Sequence, residues 1–347
     1  MSQRPLIGMM LRWKGELSLL RACALAAAHY GADFYSFHYS DIREDCIVGT
    51  ALEDNEWVRR EFPYPDVIYD GMRRLGIARY EEAYRKLEGI PLDHTLKGRS
   101  TTKTKVYNLI RNHEELSRSL IPFIRLRDAD SVLEFLDQHK QVVFKPNGGA
   151  KGRDAFTVEA KGDRIEWFDQ QTLRSFAREE LAQHIEPLLD ENYLVQQMIH
   201  SEMPQGFPFH VRSHVSKNGQ NRWVVAFKSV SLSLVPHMKI TNNPAVYRAS
   251  STWADFLMHR FDEQPGGEAD TRIDEYSMLL AQVLEDKMGN GFHEAGLDLG
   301  IDSSGRIWLF EAGLGVPRSF YSQMQLALPG IAYTLYVLER HRAEQGM

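Results

Sequence analysis

The segment that most constrains this chain is QVVFKPNGGAKGRDAFTVEA, at 141–160, where a β-rich run enters a glycine-rich turn and leaves it as a second β-rich run. Phosphate loops of the P-loop and dinucleotide-binding kinds deliver a strand through glycines into a helix. Here no helical pattern follows the glycines, so the unit reads as strand–loop–strand. No GxxxxGK[ST], HExxH or GxSxG string occurs, and the nearest dinucleotide-type string, Gly289-x-Gly291, follows a helical pattern and lacks its third glycine. Backbone N–H groups of Asn147, Gly148, Gly149, Ala150, Lys151 and Gly152 could fold over phosphate, with Lys145 on the preceding strand as a point cation.

Strand-like and helix-like segments alternate on both sides of this loop. Residues 5–9 read as a strand, Ser18–Tyr30 as a helix stopped at Gly31, 32–42 and 66–70 as strands. A helical pattern runs from Lys103 to about Leu120, a short helix is expected over 131–138, and an amphipathic helix over 171–188. YLVQQMI, 209–217 and 222–232 read as strands, 273–288 as a helix, and LDLGID with RIWLFEA as a hairpin turning at Ser303–Gly305. With 347 residues, 43% of them apolar, the chain can bury a large core and build two or three units. A net charge of −6 gives no general nucleic-acid surface, and two cysteines, Cys23 and Cys46, give neither a disulfide framework nor a four-cysteine zinc site. The first residues carry an apolar run too short for a signal or a membrane span, so the expectation is a cytoplasmic protein.

The carboxylates Asp298 and Glu311 flank the last hairpin, 13 residues apart. Two acids on one sheet face need a positive partner, and Mg²⁺ with ATP phosphates is one. Separate solvated acids are the plainer alternative. Arg212 and Lys228 lie on neighbouring predicted strands, and a cation on a buried strand wants an anion. His210 and His214 share a strand face with no third metal ligand in the sequence nearby.

The order of these elements resembles the ATP-grasp superfamily, and more closely the YheC/YheD-type endospore coat-associated proteins. PDVIYD, TKTKVYNLI, VVFKPNGGAKGRDAFTV, YLVQQMI, GFPFHVRSHV, KITNN and LDLGIDSSGRIWLFEAG are similar, in sequence order, to that family's strings. The resemblance implies an ATP-grasp architecture of α/β plus α+β class: an N-terminal α/β domain (1–95), then two α+β lobes (96–195 and 196–340) sandwiching ATP. Lys103 and Lys145 would hold phosphates under the loop Gly148, Gly149, Lys151 and Gly152. Gln196, Gln197 and Ile199 would line the adenine, and Arg212, with Lys228, would face the transferred phosphoryl group. Asp298 and Glu311 would hold Mg²⁺. The implied activity is an ATP-dependent ligase joining an unknown carboxylate to an amine or related nucleophile through an acyl phosphate. The alternatives are a nucleotide-binding spore-coat assembly protein and a phosphotransferase. Two departures stand out: the family's Asp before the arginine strand is His210, and its metal-site Asn is Gly313. Arg12, Arg73 and Arg74 are candidate carboxylate contacts, with ordinary surface arginines as the alternative.

Overall fold

Three sheets organise the chain, each drawn from its own stretch of sequence. The computed structural model describes residues 4–12, 17–72, 76–96, 101–148, 154–236, 238–241, 247–289, 291–315 and 322–346. The first stretch contains β1 (Leu6–Leu11), α1 (Leu17–His29), β2 (Asp33–His38), β3 (Ile47–Glu53), β4 (Glu56–Phe62), β5 (Val67–Asp70) and α2 (Ala78–Lys86). They form a five-stranded sheet in the order β4-β3-β2-β1-β5, in which β1 runs parallel to both β2 and β5. Covered on both faces, β1 is apolar at consecutive positions: Ile7, Met9 and Met10 are all buried. α1 gives way to Gly31, whose φ of +74° suits a left-handed stop. The β3–β4 hairpin, absent from the sequence reading, turns at Asp54 and Asn55, both at positive φ.

The second stretch holds α3 (Lys103–Ile110), β6 (Phe123–Arg125), α4 (Ala129–His139), β7 (Gln141–Pro146), β8 (Phe156–Lys161), β9 (Arg164–Phe168), β10 (Leu173–Ala177), α5 (Leu181–Ile185) and β11 (Tyr193–Gln197). Its sheet has the order β10-β9-β8-β7-β11-β6, antiparallel throughout. Two expectations are corrected here. The helix expected to run to Leu120 ends at Ile110, and a short 3₁₀ turn, Leu116–Ser119, follows. The helix expected over 171–188 is strand β10 followed by α5. Residues 173–177 pair with β9 instead of continuing the turn, and the Glu180 carboxylate accepts the Ala177 N–H at 2.7 Å where the helical segment begins.

The third stretch contains β12 (Phe209–Lys217), β13 (Trp223–Ser233), β14 (Arg248–Thr252), α6 (Trp253–Phe261), α7 (Glu268–Met288), β15 (Glu294–Ile301), β16 (Ile307–Leu314) and α8 (Gln323–Glu344). The sheet order is β14-β13-β12-β15-β16. α7 covers one face of it with Ile273, Leu280 and Leu284, which recur at helical spacing and join the core of Val211, Leu297 and Leu309. The opposite face is open toward the second sheet. α8 returns to pack on α1 and β5. Among the described residues no helix is long and apolar enough to cross a membrane.

A buried polar set ties the first sheet to the third. The Tyr69 hydroxyl of β5 donates to Glu294 Oε1 at 2.6 Å, and His293 Nε2 stands 3.5 Å from Asp93 and 3.4 Å from Glu294. Burial disfavours the His293 charge, but the two carboxylates outweigh it and raise its pKa. Gly330 of α8 passes over this set, and a Cβ there would stand 3.0 Å from Glu294 Oε1.

Candidate active site

The open face of the third sheet and the inner face of the second enclose a cleft. Register explains who points into it. Asp298 pairs with Arg212 on one side and with Glu311 on the other, so the three side chains share one face. His210, two residues from Arg212, falls on the same face and lines the cleft. The Arg212 guanidinium straddles Asp298: Nη2 donates to Oδ2 at 3.1 Å, and Nε lies 2.8 Å from Oδ1. His210 Nε2 is 3.7 Å from that carboxylate, and its Nδ1 meets the Thr241 hydroxyl.

The two lysines arrive from separate elements. Lys103 opens α3, whose Thr102 cap accepts the Lys105 N–H at 3.3 Å. Lys145 stands near the end of β7. Asn147, buried, clamps the two together: its Oδ1 accepts the Thr104 N–H at 3.1 Å, and its Nδ2 donates to the Thr104 hydroxyl at 2.9 Å. Its carbonyl also accepts the Lys103 N–H at 3.3 Å. Lys103 Nζ is 4.0 Å from Glu311. Burial, then the Lys103 charge, pulls the Lys145 ammonium down to about 7. Burial followed by the nearby Asp298 pushes the Glu311 carboxyl up. Burial is thus the main cost of both charges, and the ion pairs within the cleft offset only part of it.

At the other end Gln196, Gln197, Met198, Ile199, Ile240 and Phe310 form a more apolar wall. The N–H groups of Gln197 and Met198 already donate to Pro122 and Gln141 carbonyls at 3.0 Å, so they are not free for a ligand. Gln196 Nε2 donates to the Tyr107 hydroxyl at 3.3 Å, which in turn donates to the Leu309 carbonyl at 2.6 Å. Its Oε1 is buried without a hydrogen-bond donor. Asn147 as a clamp, Tyr107 and Phe310 escaped the sequence reading. Tyr107 carried one signal, a phenol on the apolar side of a predicted helix, which needs a buried partner.

Of the residues expected at the site, Lys103, Lys145, Gln196, Gln197, Ile199, Asp298 and Glu311 line this cleft, and Arg212 reaches it through Asp298. Lys228 does not. Arg212 pairs with Ser229, so Lys228 pairs with Ser213 and points to the opposite, α7-covered face. There it is held by Asp270 and Asp274. Gly148 is described and exposed, whereas Gly149, Lys151 and Gly152 lie outside the described residues, as do Arg73 and Arg74.

The donor set suits a hard divalent cation. Asp298 and Glu311 offer carboxylate oxygens from paired strands, and Asp298 Oδ1 is buried without an aligned donor. Among the described residues no group of three or more His, Cys, Asp or Glu side chains could hold a metal by itself. Mg²⁺ is bound in that manner, through one or two carboxylates with phosphates and water completing its shell.

Two lobes closing on a cleft lined by two lysines, from α3 and β7, with a carboxylate hairpin at its floor, define the ATP-grasp class. A family model described as YheC/D like ATP-grasp matches residues 93–328, and the chain belongs to that family. Two curated relatives from Bacillus subtilis (strain 168) are similar to it. Endospore coat-associated protein YheD is 25% identical over 332 residues, covering 87% of this chain and 69% of the relative. Endospore coat-associated protein YheC is 22% identical over 312 residues, covering 83% and 82%. Solved structures share the fold. D-alanyl-alanine synthetase A from Vibrio cholerae superposes with a TM-score of 0.55 at 12% identity, covering 98% of this chain and 99% of the other. VanG D-Ala:D-Ser ligase from Enterococcus faecalis gives 0.53 at 12% identity, covering 98% and 100%. The ATP-grasp ligase PsnB with its minimal precursor gives 0.52 at 13% identity, covering 96% and 100%.

Proposed function

We propose that this chain is an ATP-dependent ligase that activates a carboxylate as an acyl phosphate and passes it to an amine. The observation that carries the reading is the convergence of Lys103, Lys145, Arg212, Asp298 and Glu311 on one cleft. Residues 1–95 then act as a substrate-side domain, and 96–195 and 196–340 as the two lobes that grip the nucleotide. A carboxylate oxygen attacks the γ-phosphorus, the bond to the β-phosphate oxygen breaks, and ADP leaves. The amine nitrogen then attacks the acyl carbon, loses a proton, and phosphate departs.

The side chains bind and neutralise; no covalent step falls to them. Lys103 and Lys145, fixed relative to each other by Asn147, hold phosphate oxygens. That contact favours the charged form of Lys145, which burial disfavours. Arg212 turns from Asp298 toward the transferred group. Asp298 and Glu311 would hold Mg²⁺, which would supply charge neutralisation at the phosphates. Gln196 Oε1, an acceptor lacking a donor, fits the exocyclic amine of adenine.

Two observations favour a second reading, a nucleotide-binding assembly protein without turnover. Gly313 offers no side chain where the family string has Asn, and the curated relatives are named for the endospore coat. ADP release measured with Mg·ATP and pools of carboxylic acids and amines separates the two. Release that depends on both pools and disappears in Glu311→Gln supports the ligase. Tight Mg·ATP binding with no release under any pool refutes it in favour of the assembly protein.

A further inference from the structure

The first sheet carries a second candidate site. In the order β4-β3-β2-β1-β5, the chain leaves β1 for β2 on one side and later returns to β5 on the other. The crevice at the carboxyl end of β1 is therefore a topological switch point, where open α/β sheets take ligands. Arg12 follows β1 there, and His38 ends β2. His38 holds the Arg12 carbonyl through Nε2 at 3.0 Å and the Ser40 hydroxyl through Nδ1 at 2.7 Å. Arg79 and Tyr80 arrive from the first turn of α2.

These residues are built around one phenol. The Arg12 guanidinium lies 5.8 Å from the Tyr80 ring centroid, and that of Arg79 lies 5.0 Å from it. Arg79 also covers Tyr39 at 5.9 Å, and the two tyrosine rings meet edge to face at 4.7 Å. Burial pushes the Tyr80 phenol up, yet hydrogen bonds from Arg12 and Arg79 carry it below its ordinary value, a sign of positive potential at this crest. Two guanidiniums placed about one ring make a region of positive potential that suits an anion. Arg79 is exposed and has no carboxylate partner among the described residues. Asp41, at the rim, is taken by Arg59 at 3.1 Å. The first sheet also abuts the hairpin floor of the cleft. Tyr69 of β5 bonds to Glu294, four residues before Asp298 on β15, or about 13 Å along the strand.

We propose that this crest binds the free carboxylate of an amino-acid or peptide substrate, with Arg12 and Arg79 as the anchors and Tyr39 and Tyr80 as the wall. The proposal rests on the ligase reading, for which it supplies the class of the second substrate. A planar guanidinium matches a carboxylate edge to edge, and the stacked position on the tyrosines presets its plane.

The test is saturation-transfer NMR on the full chain with Mg²⁺ and a nonhydrolysable ATP analogue. The probes are glycylglycine, glycylglycinamide and inorganic phosphate. Glycylglycine should bind, and the amide, identical but for the carboxylate, should bind at least about tenfold more weakly, the effect of one charge-assisted hydrogen bond. Arg79→Ala should weaken glycylglycine by a similar factor and leave affinity for the ATP analogue unchanged. Arg79→Lys should rescue it in part. No binding of glycylglycine, equal binding of dipeptide and amide, or full binding by Arg79→Ala overturns the proposal. Phosphate displacing the dipeptide at a lower concentration than the dipeptide itself needs also overturns it, in favour of a phosphate site. If the ATP analogue fails to bind the wild type, the ligase reading falls, and the same dipeptide titration, run without nucleotide, still decides whether the crest takes a carboxylate.

Discussion

Asn147→Ala is the substitution whose consequences the geometry specifies most fully. The side chain makes two buried hydrogen bonds to Thr104 and a longer, half-buried one from Nδ2 to Asn192 Oδ1 at 3.5 Å. Each bond contributes about 1 kcal/mol net, and the Thr104 N–H and hydroxyl left behind lose their partner out of reach of water. Summed over two groups, the expected loss is about 2–3 kcal/mol in global urea unfolding. The same change frees α3 from the end of β7, so Lys103 and Lys145 lose their fixed separation. Affinity for an ATP analogue, measured by titration calorimetry, should fall about tenfold, which corresponds to about 1.4 kcal/mol. Asn147→Asp retains the acceptor for the Thr104 N–H and can accept from the hydroxyl, so it should recover part of the stability. A midpoint for Asn147→Ala indistinguishable from wild type, or a stability loss with unchanged nucleotide affinity, would refute the idea that this clamp aligns the two lysines.

Nucleotide binding should take up protons. Burial holds Lys145 at about 7, and phosphate beside it restores the ordinary ~10.4, so between those values the complex holds more protons than the free protein. Affinity should therefore fall as pH rises through that window, with uptake of about half a proton at pH 7 and close to one by pH ~8.5, read by calorimetry in buffers of different ionisation enthalpy. No uptake at pH 8.5 would contradict the depressed lysine. Lys217→Met should destabilise by about 3–5 kcal/mol, because among the described residues Glu285 then keeps only the Trp223 N–H at 2.7 Å and is left as a buried charge. The double change Lys217→Met with Glu285→Gln should restore most of that loss in the same unfolding assay.

What could be read from the sequence were features whose meaning is local. The β7 run into glycines, the hairpin around Ser303–Gly305 and the helix stop at Gly31 need only neighbours in sequence to be recognised, and the structure has all three. What failed needed partners far away. Lys228 and Arg212 both looked like cations on adjacent strands, but whether they share a face depends on pairing register. The observed match of Arg212 with Ser229 puts Lys228 against α7. A pairing shifted by one residue would have put it in the cleft. Residues 173–177 show the same weakness: five residues with Leu173 and Phe176 three apart carry too little pattern to choose between helix and strand, and β9 decides. Asn147 read as one more loop residue because its partner, Thr104, is 43 positions away. The arginine–tyrosine crest was half visible in Arg12, but Arg79 lies in an α2 that the sequence reading did not place.

The two departures from the family strings, His210 and Gly313, lie on opposite sides of Asp298. Gly313 pairs with Gly296, toward the start of β15, while His210 stands on the side of β12 that leads to the apolar wall of the cleft. A loss at Gly313 thus touches the end of the floor that adjoins the first sheet, and leaves the wall around Gln196 intact. This allows nucleotide binding and metal positioning to be altered separately. Gly313 is not at positive φ, and among the described residues a Cβ there would meet only the Gly296 carbonyl, at an ordinary 3.6 Å. Gly313→Asn should therefore fold without strain and place an amide oxygen on the same face as Glu311, two residues away. One added oxygen ligand in place of water should lower the Mg²⁺ concentration needed for half-maximal binding of the ATP analogue by about tenfold, the worth of one hydrogen-bond-sized contact to a charge. A Mg²⁺ titration of analogue binding by wild type and Gly313→Asn measures this without any turnover. An unchanged Mg²⁺ requirement would mean that position 313 does not face the cation, and that the hairpin holds it through Asp298 and Glu311 alone.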